Sequence, residues 1–308
     1  MIEIVGLGRT FDGKVAVEDL NLKVEDGEVF GLLGPNGAGK TTTIRMLCCL
    51  IGQTSGTAFV NGHEINKEPD AGMIRRIVGL LPESPGLYEP LSASKNLDFF
   101  AQLYGVPKDK REKRIEELLK MLDLWDRREE PVATYSKGMK QKIAIARAFV
   151  HSPEIVFLDE PTAGLDPQAS ITVREFLTKL SGEGRTIFIN SHHLDEVERL
   201  CDRIAVMNKT ALAVGSPREL ASRYWARTTV VELAGRGEDY LDVVKRLAYA
   251  SNVRTEDGRI LVDLDDPELR NPALVDALTK AGAKIEFVSE LKRSLEDVYM
   301  KLIGGEHR

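Results

Sequence analysis

Three short stretches hold residue types whose spacing could act on a phosphorylated ligand. Gly34-Pro35-Asn36-Gly37-Ala38-Gly39-Lys40-Thr41 fits G-x-x-x-x-G-K-[ST] at every fixed position, with Thr42 directly after it. Glycines at that spacing let backbone N–H groups close around phosphates, Lys40 brings a cation to the β- and γ-phosphates, and the Thr41 hydroxyl can ligate Mg²⁺. In the second stretch, EIVFLDE, apolar residues carry Asp159 and Glu160 to the end of a strand. Asp159 can hold a Mg²⁺ shell while Glu160 polarises a water for attack on the γ-phosphate. The third stretch, TYSKGMKQK from Thr134 to Lys142, has no obvious catalytic group. Ser136 sits where an N-cap would sit, and the free N–H groups of a helix start suit an anion. A cap that serves only its own helix explains the same residues.

Those groups need rigid elements beneath them. From Met1 to about Leu33 the pattern is one of short alternating strands, and VFGLLG runs straight into the glycine loop and then into the helix-like TTIRMLCCLIG. Strand, loop, helix is the context that a phosphate loop requires. RRIVGLL reads as a further strand, and the middle third is helix-rich: ASKNLDFFAQLYG, then KDKREKRIEELLKMLDL. EIVFLDEP and RTIFINSHH are apolar strands separated by the helical PQASITVREFLTKLSGEG, a βαβ pattern that implies a parallel sheet. Near residue 220 a new series begins: strand TTVVELAG, helix EDYLDVVKRLAYA, two strands around Asp257-Gly258, helix PALVDALTKAG, strand AKIEFVSE and helix SLEDVYMKLIGG. The order βαββαβ plus a helix is that of a split βαβ, ferredoxin-like module. The expected organisation is therefore an α/β nucleotide-binding domain over 1–220 and an α+β accessory domain over 221–308.

Composition narrows the function classes. The 308 residues carry a net charge of −6, so no general basic field draws the chain to nucleic acid or anionic lipid. Apolar runs are too short to span a bilayer and the N-terminus lacks a signal peptide, so a cytoplasmic chain is expected. Cys48 and Cys49, read as lying in an apolar helical stretch, and the isolated Cys201 form neither a disulfide framework nor a metal spacing. His63, His151 and His307 lie in turn-like or terminal segments and receive no role.

GPNGAGKTT, YSKGM, IVFLDEPTAGLD and NSHHLDEVE occur in this order. The set resembles the phosphate loop, signature turn, carboxylate strand, D-loop and switch histidine of ATP-binding cassette (ABC) ATPases over residues 1 to about 220. The resemblance implies a P-loop NTPase domain with an antiparallel β subdomain and a helical subdomain, binding ATP and Mg²⁺. It implies that two copies dimerise head to tail and that the signature turn of one caps the γ-phosphate bound to the other, through Ser136 and Gly138. It further implies that Phe11 stacks on adenine, that Asp166 crosses the dimer interface and that His192 contacts the γ-phosphate. Catalytic roles fall to Glu160, His192 and Lys40. Thr41, Asp159 and Glu83 are the implied metal ligands, Glu83 standing where most of the family has a Gln.

The usual signature turn reads Leu-Ser-Gly-Gly-Gln, and this chain has Tyr135, Lys137 and Met139 at the first, third and fifth positions. Together with Glu83 and the C-terminal module, YSKGM resembles the ATPases of daunorubicin-resistance-type exporters. Their membrane domain is a separate chain, which implies a partner that is an integral membrane subunit, a peripheral place on the cytoplasmic face of the cell membrane, and no nucleic acid. A non-transport ABC ATPase acting on ribosomes or nucleic acid is the alternative, and a small-molecule P-loop kinase shares only the phosphate loop.

Overall fold

The computed structural model describes residues 1–224, 227–291 and 294–304, so His307 lies outside the described residues. Packing divides the chain into a first unit of Met1–Pro217 with the residues from Lys301 on, and a second of Arg218–Met300.

The first unit opens with β1 (Ile2–Phe11) and β2 (Lys14–Val24), followed by β3 (Val29–Leu33) and α1 (Lys40–Leu47). Next come β4 (Ser55–Val60), β5 (His63–Glu64), α2 (Asp70–Ile77) and β6 (Val78–Leu81). Helices α3 (Ala93–Leu103), α4 (Lys108–Met121) and α5 (Lys137–Phe149) form the helical part. The chain then alternates through β7 (Ile155–Asp159), α6 (Pro167–Ser181), β8 (Thr186–Asn190), α7 (Leu194–Leu200) and β9 (Arg203–Asn208). β10 (Thr210–Gly215) follows, and α8 (Pro217–Tyr224) starts at Pro217, its other residues belonging to the second unit.

Two sheets organise this unit. An antiparallel sheet has the order β2-β1-β4-β5. The other has the order β10-β9-β3-β8-β7-β6, with β9, β3, β8, β7 and β6 mutually parallel and β10 antiparallel at the edge. All residues of β3, β7 and β8 are buried, as expected where crossover helices cover a parallel sheet. Phe188 of β8 lies 5.5 Å from Phe30 of β3 and 5.6 Å from Phe157 of β7, so an aromatic row locks together the strands that lead to the loop 34–39, to Asp159 and Glu160, and to His192.

The structure redraws some expected boundaries. Arg75, Arg76 and Ile77 close α2, and the strand begins only at Val78, because the apolar face of DAGMIRRI repeats at helical spacing with Ala71 and Ile74 buried. α1 ends at Leu47, so Cys48 is its C-cap and Cys49 turns at φ 54 instead of continuing a helix; both are buried.

The second unit runs β11 (Thr228–Leu233), α9 (Leu241–Lys245), β12 (Ala250–Glu256), β13 (Arg259–Leu264), α10 (Pro267–Lys280), β14 (Ile285–Glu290) and α11 (Leu295–Gly304), which continues past its end. Its sheet has the order β12-β13-β11-β14 with antiparallel neighbours, so β13 is inserted between β11 and β12 as in a split βαβ. α9 is shorter than EDYLDVVKRLAYA suggests, since Ala250 already pairs with Leu264. α10 starts a turn before PALVD, at Pro267, where Asp266 accepts the Leu269 N–H as N-cap.

Candidate functional site

β3 is buried throughout and delivers the chain into the loop 34–39. Gly39 takes φ 97, and a Cβ there would collide with the Ala16 carbonyl oxygen, so the loop's own packing requires glycine at this position. Lys40, the first residue of α1, folds its ammonium back onto the loop and donates to the carbonyl oxygens of Gly34 at 2.7 Å and Pro35 at 3.1 Å. Burial holds the Lys40 pKa below the usual lysine range, and Glu160 and Asp159 partly offset that effect.

Asp159 ends β7 and is only 3% exposed. Its Oδ1 accepts from the Thr41 hydroxyl at 3.2 Å and from Asn190 Nδ2 of the neighbouring β8. Burial raises the Asp159 pKa, the bonds from Thr41 and Asn190 oppose that, and the negative charges of Glu83 and Glu160 add to it. A buried carboxylate beside a threonine hydroxyl, with the negative charges of Glu83 and Glu160 nearby, fits a divalent cation. Among the described residues no three His, Cys, Asp or Glu side chains converge as a metal cage. Phosphates and water would have to complete the coordination of Mg²⁺, as is common for that ion.

Glu160 leaves the strand at φ 53, a left-handed backbone that costs a non-glycine residue about 1–3 kcal/mol and tends to mark functional sites. Its amide donates to the Asn190 carbonyl at 2.8 Å. His192 Nδ1 lies 2.7 Å from Glu160 Oε2, an ion-pair distance without hydrogen-bond alignment, and that oxygen has no aligned donor. The parallel register Asp159↔Asn190 thus sets the carboxylates beside His192. Asn36, Glu83, Lys137, Gln141, Glu160 and His192 are among the side chains that line an open cleft of about 690 Å³.

The remaining candidates stand apart from that cleft's lining. Ser136 is the N-cap of α5 and its hydroxyl accepts the Met139 N–H at 3.3 Å. Asp166 caps α6 in the same way, accepting from Ala169 N at 2.8 Å. A Cβ on Gly138 would meet Ala169, Leu165 and Asp166 at 3.5 Å or more, so packing within the chain does not require glycine there. Phe11, at the end of β1, is 40% exposed, with the Arg9 guanidinium 4.4 Å over its ring.

Several supporting residues escape a reading of motifs. Gln141 Nε2 donates from α5 to the Pro161 carbonyl at 3.0 Å, bracing the turn after Glu160. Arg147, also on α5, donates to the carbonyl oxygens of Pro85 and Gly86 and holds the loop that carries Glu83. The departures from the usual signature turn are tied to one another: Tyr135 donates its hydroxyl to the Arg127 carbonyl at 2.6 Å, and Arg127 Nη1 reaches Met139 Sδ at 3.3 Å. Helical spacing places Gln141 and Arg147 on α5, but only the fold shows which carbonyls they meet.

Residues 17–163 match the family described as ABC transporter. Over nearly the whole length, the chain is similar to the daunorubicin/doxorubicin resistance ATP-binding protein DrrA of Streptomyces peucetius, 34% identical over 98% of this chain and 92% of the relative. The chain belongs to the ABC transporter family.

Another ABC transporter relative is the linearmycin resistance ATP-binding protein LnrL of Bacillus subtilis, 34% identical over 86% of this chain and 85% of that protein. Among solved structures, the dimeric bacterial ABC transporter cassette MJ0796 superposes with a TM-score of 0.64 at 27% identity, over 70% of this chain and 98% of the cassette. As an ABC ATPase, the chain binds ATP and couples its hydrolysis to transport.

Proposed function

We propose that this ATPase drives an exporter whose membrane-spanning part is a separate chain, and that two copies dimerise head to tail so that each signature turn closes the other's ATP site. The observation that carries this reading is Gly138. Glycine in the first turn of a helix costs about 1 kcal/mol against alanine, yet nothing within the chain needs the space it leaves. Without a Cβ the backbone at the α5 N-terminus stays open to close approach by an outside group, and the free N–H groups there suit a phosphate. Ser136, whose hydroxyl serves only its own helix in the single chain, would turn to that phosphate beside Gly138. Asp166, close to Gly138, would lie at the same interface.

In each site the loop 34–42 and Lys40 hold the phosphates, and Phe11 stacks on the base. Thr41, Asp159 and Glu83 would hold Mg²⁺, which would supply positive charge to the phosphate oxygens. Glu160 accepts the proton of the attacking water and His192 contacts the γ-phosphate.

A membrane partner is supported by the helical part. Tyr88, Phe99, Leu103 and Tyr104 are exposed there, with Tyr88 next to the loop that Arg147 holds. An apolar surface of this kind suits a protein partner. No helix among the described residues is long and apolar enough to cross a membrane. The relatives, ATP-binding proteins named for drug resistance, favour export from the cytoplasmic face. The acidic balance disfavours nucleic acid.

Co-purification of the tagged full chain from native membranes tests the proposal. An integral membrane protein that stays bound and raises ATP turnover is expected. Recovery with ribosomes or nucleic acid instead would select the non-transport alternative.

A further inference from the structure

Behind the pair Glu160 and His192 lies a second link between the same two segments, and it is buried. Thr162, two residues beyond Glu160, donates its hydroxyl to Glu196 Oε2 at 2.5 Å. Ser191, directly before His192, donates to the same oxygen at 3.3 Å, and its own Oγ accepts the His193 N–H at 3.0 Å. Thr162, Ser191 and Glu196 are all buried, Glu196 at 4% exposure. Glu196 belongs to the first turn of α7, so a single carboxylate gathers the turn after β7, the end of β8 and the start of the next helix. Its other oxygen, Oε1, is buried with no partner. An acidic side chain placed this way is costly, and an apolar residue of similar size would avoid the cost. A stability role alone therefore gives little reason for a carboxylate here.

We infer that Glu196 is a positioning residue for hydrolysis: by holding Thr162 and Ser191 on one oxygen, it fixes the separation of Glu160 and His192, which the front contact between those two side chains alone cannot fix. That front contact is a distance without hydrogen-bond alignment, and His192 is half exposed. The hydroxyl bonds behind it are shielded from water, where hydrogen bonds to a charged acceptor are strong and directional. Small displacements of catalytic groups cost rate steeply, so a clamp at this place acts on turnover more than on nucleotide binding. The phosphate loop takes no part in it. This inference rests on Glu160 and His192 acting as proposed above.

Thr162→Val keeps the side-chain shape and removes the donor, whereas Thr162→Ser keeps the donor. In the full-length protein, Thr162→Val should lower kcat by about tenfold, the loss of one hydrogen bond to a charged group, with KM for ATP within about twofold of wild type. Thr162→Ser should recover most of that loss. Ser191→Ala, which removes the other arm, should shift kcat in the same direction, and it serves if Thr162→Val does not fold. Thermal unfolding of each variant, recorded alongside, ensures that rates are compared on folded protein. Wild-type kcat in folded Thr162→Val, or a kcat loss that Thr162→Ser does not repair, overturns the inference. Glu160→Gln is the control: if it hydrolyses ATP at the wild-type rate, the reading of the site itself fails. If Glu160→Gln is inactive while Thr162→Val is unimpaired, only the clamp fails.

Discussion

Gln141 Nε2 donates to the Pro161 carbonyl oxygen at 3.0 Å, which ties the helix that opens at Ser136 to the turn that carries Glu160. The turn at Ser136 and the turn that carries Glu160 therefore cannot move independently without breaking this bond. Movement of α5 toward a partner's nucleotide would pull on the turn after Glu160.

Gln141→Leu should uncouple the two. Loss of one neutral hydrogen bond predicts a fall in kcat of roughly three- to tenfold, with KM for ATP within about twofold. Steady-state kinetics across an ATP titration check this, and an unchanged kcat would show that the bond is incidental.

Phe11→Ala should weaken nucleotide binding without changing base preference. Stacking on an aromatic ring is worth about 1–3 kcal/mol per base and tolerates any base. Kd for ATP and for GTP should therefore rise by similar factors, about tenfold, when measured by equilibrium titration. A loss confined to ATP would mean that another residue reads the base edge.

His151 gives a stability prediction at the joint between the helical part and the parallel sheet. Its ring stacks on Tyr104 at 3.7 Å and its Nε2 meets the Val78 carbonyl at 3.1 Å. Burial holds its pKa down to about 4, with Arg114 and Arg185 adding to the effect and the Val78 bond opposing it. The folded chain prefers the neutral ring, so this contribution is whole above about pH 6.5 and is lost as the pH falls through about 4. His151→Phe keeps an aromatic stack but loses the Val78 bond. It should be less stable than wild type at pH 7 by about 1 kcal/mol, and it should lose less stability on acidification from pH 6.5 to 4. Urea unfolding at several pH values measures both, and parallel curves for the two proteins would contradict the assignment.

What the sequence made legible was local. Gly34–Thr41 could be read because strand, loop and helix are contiguous, and Ser136 because a cap and its helix lie within a few residues. The split βαβ order of the second unit followed from alternating patterns and the turn at Asp257-Gly258, both short-range signals. Helix limits were less legible, since RRI suits either a helix end or a strand start until Ile74 and its neighbours find a core. The long-range supports were silent. Gln141 with Pro161, Arg147 with Gly86 and Glu196 with Thr162 join residues of common types across wide sequence gaps, and strand register decides which of them meet.

Subunit mixing distinguishes a cap that each subunit lends to the other's ATP from a cap that serves its own chain. Ser136→Arg should leave MgATP affinity of the isolated chain nearly unchanged, because its own loop and Lys40 are intact, while hydrolysis falls steeply. Lys40→Ala should lose hydrolysis through its own phosphate loop. A mixed dimer of the two places both lesions in one composite site and leaves the other composite site intact. ATP turnover of the mixture should therefore rise above the sum of the two parents. If the mixture never exceeds that sum, while Ser136→Arg mixed with wild type keeps the full activity of the wild-type subunits, the cap serves its own chain and is not lent to the partner.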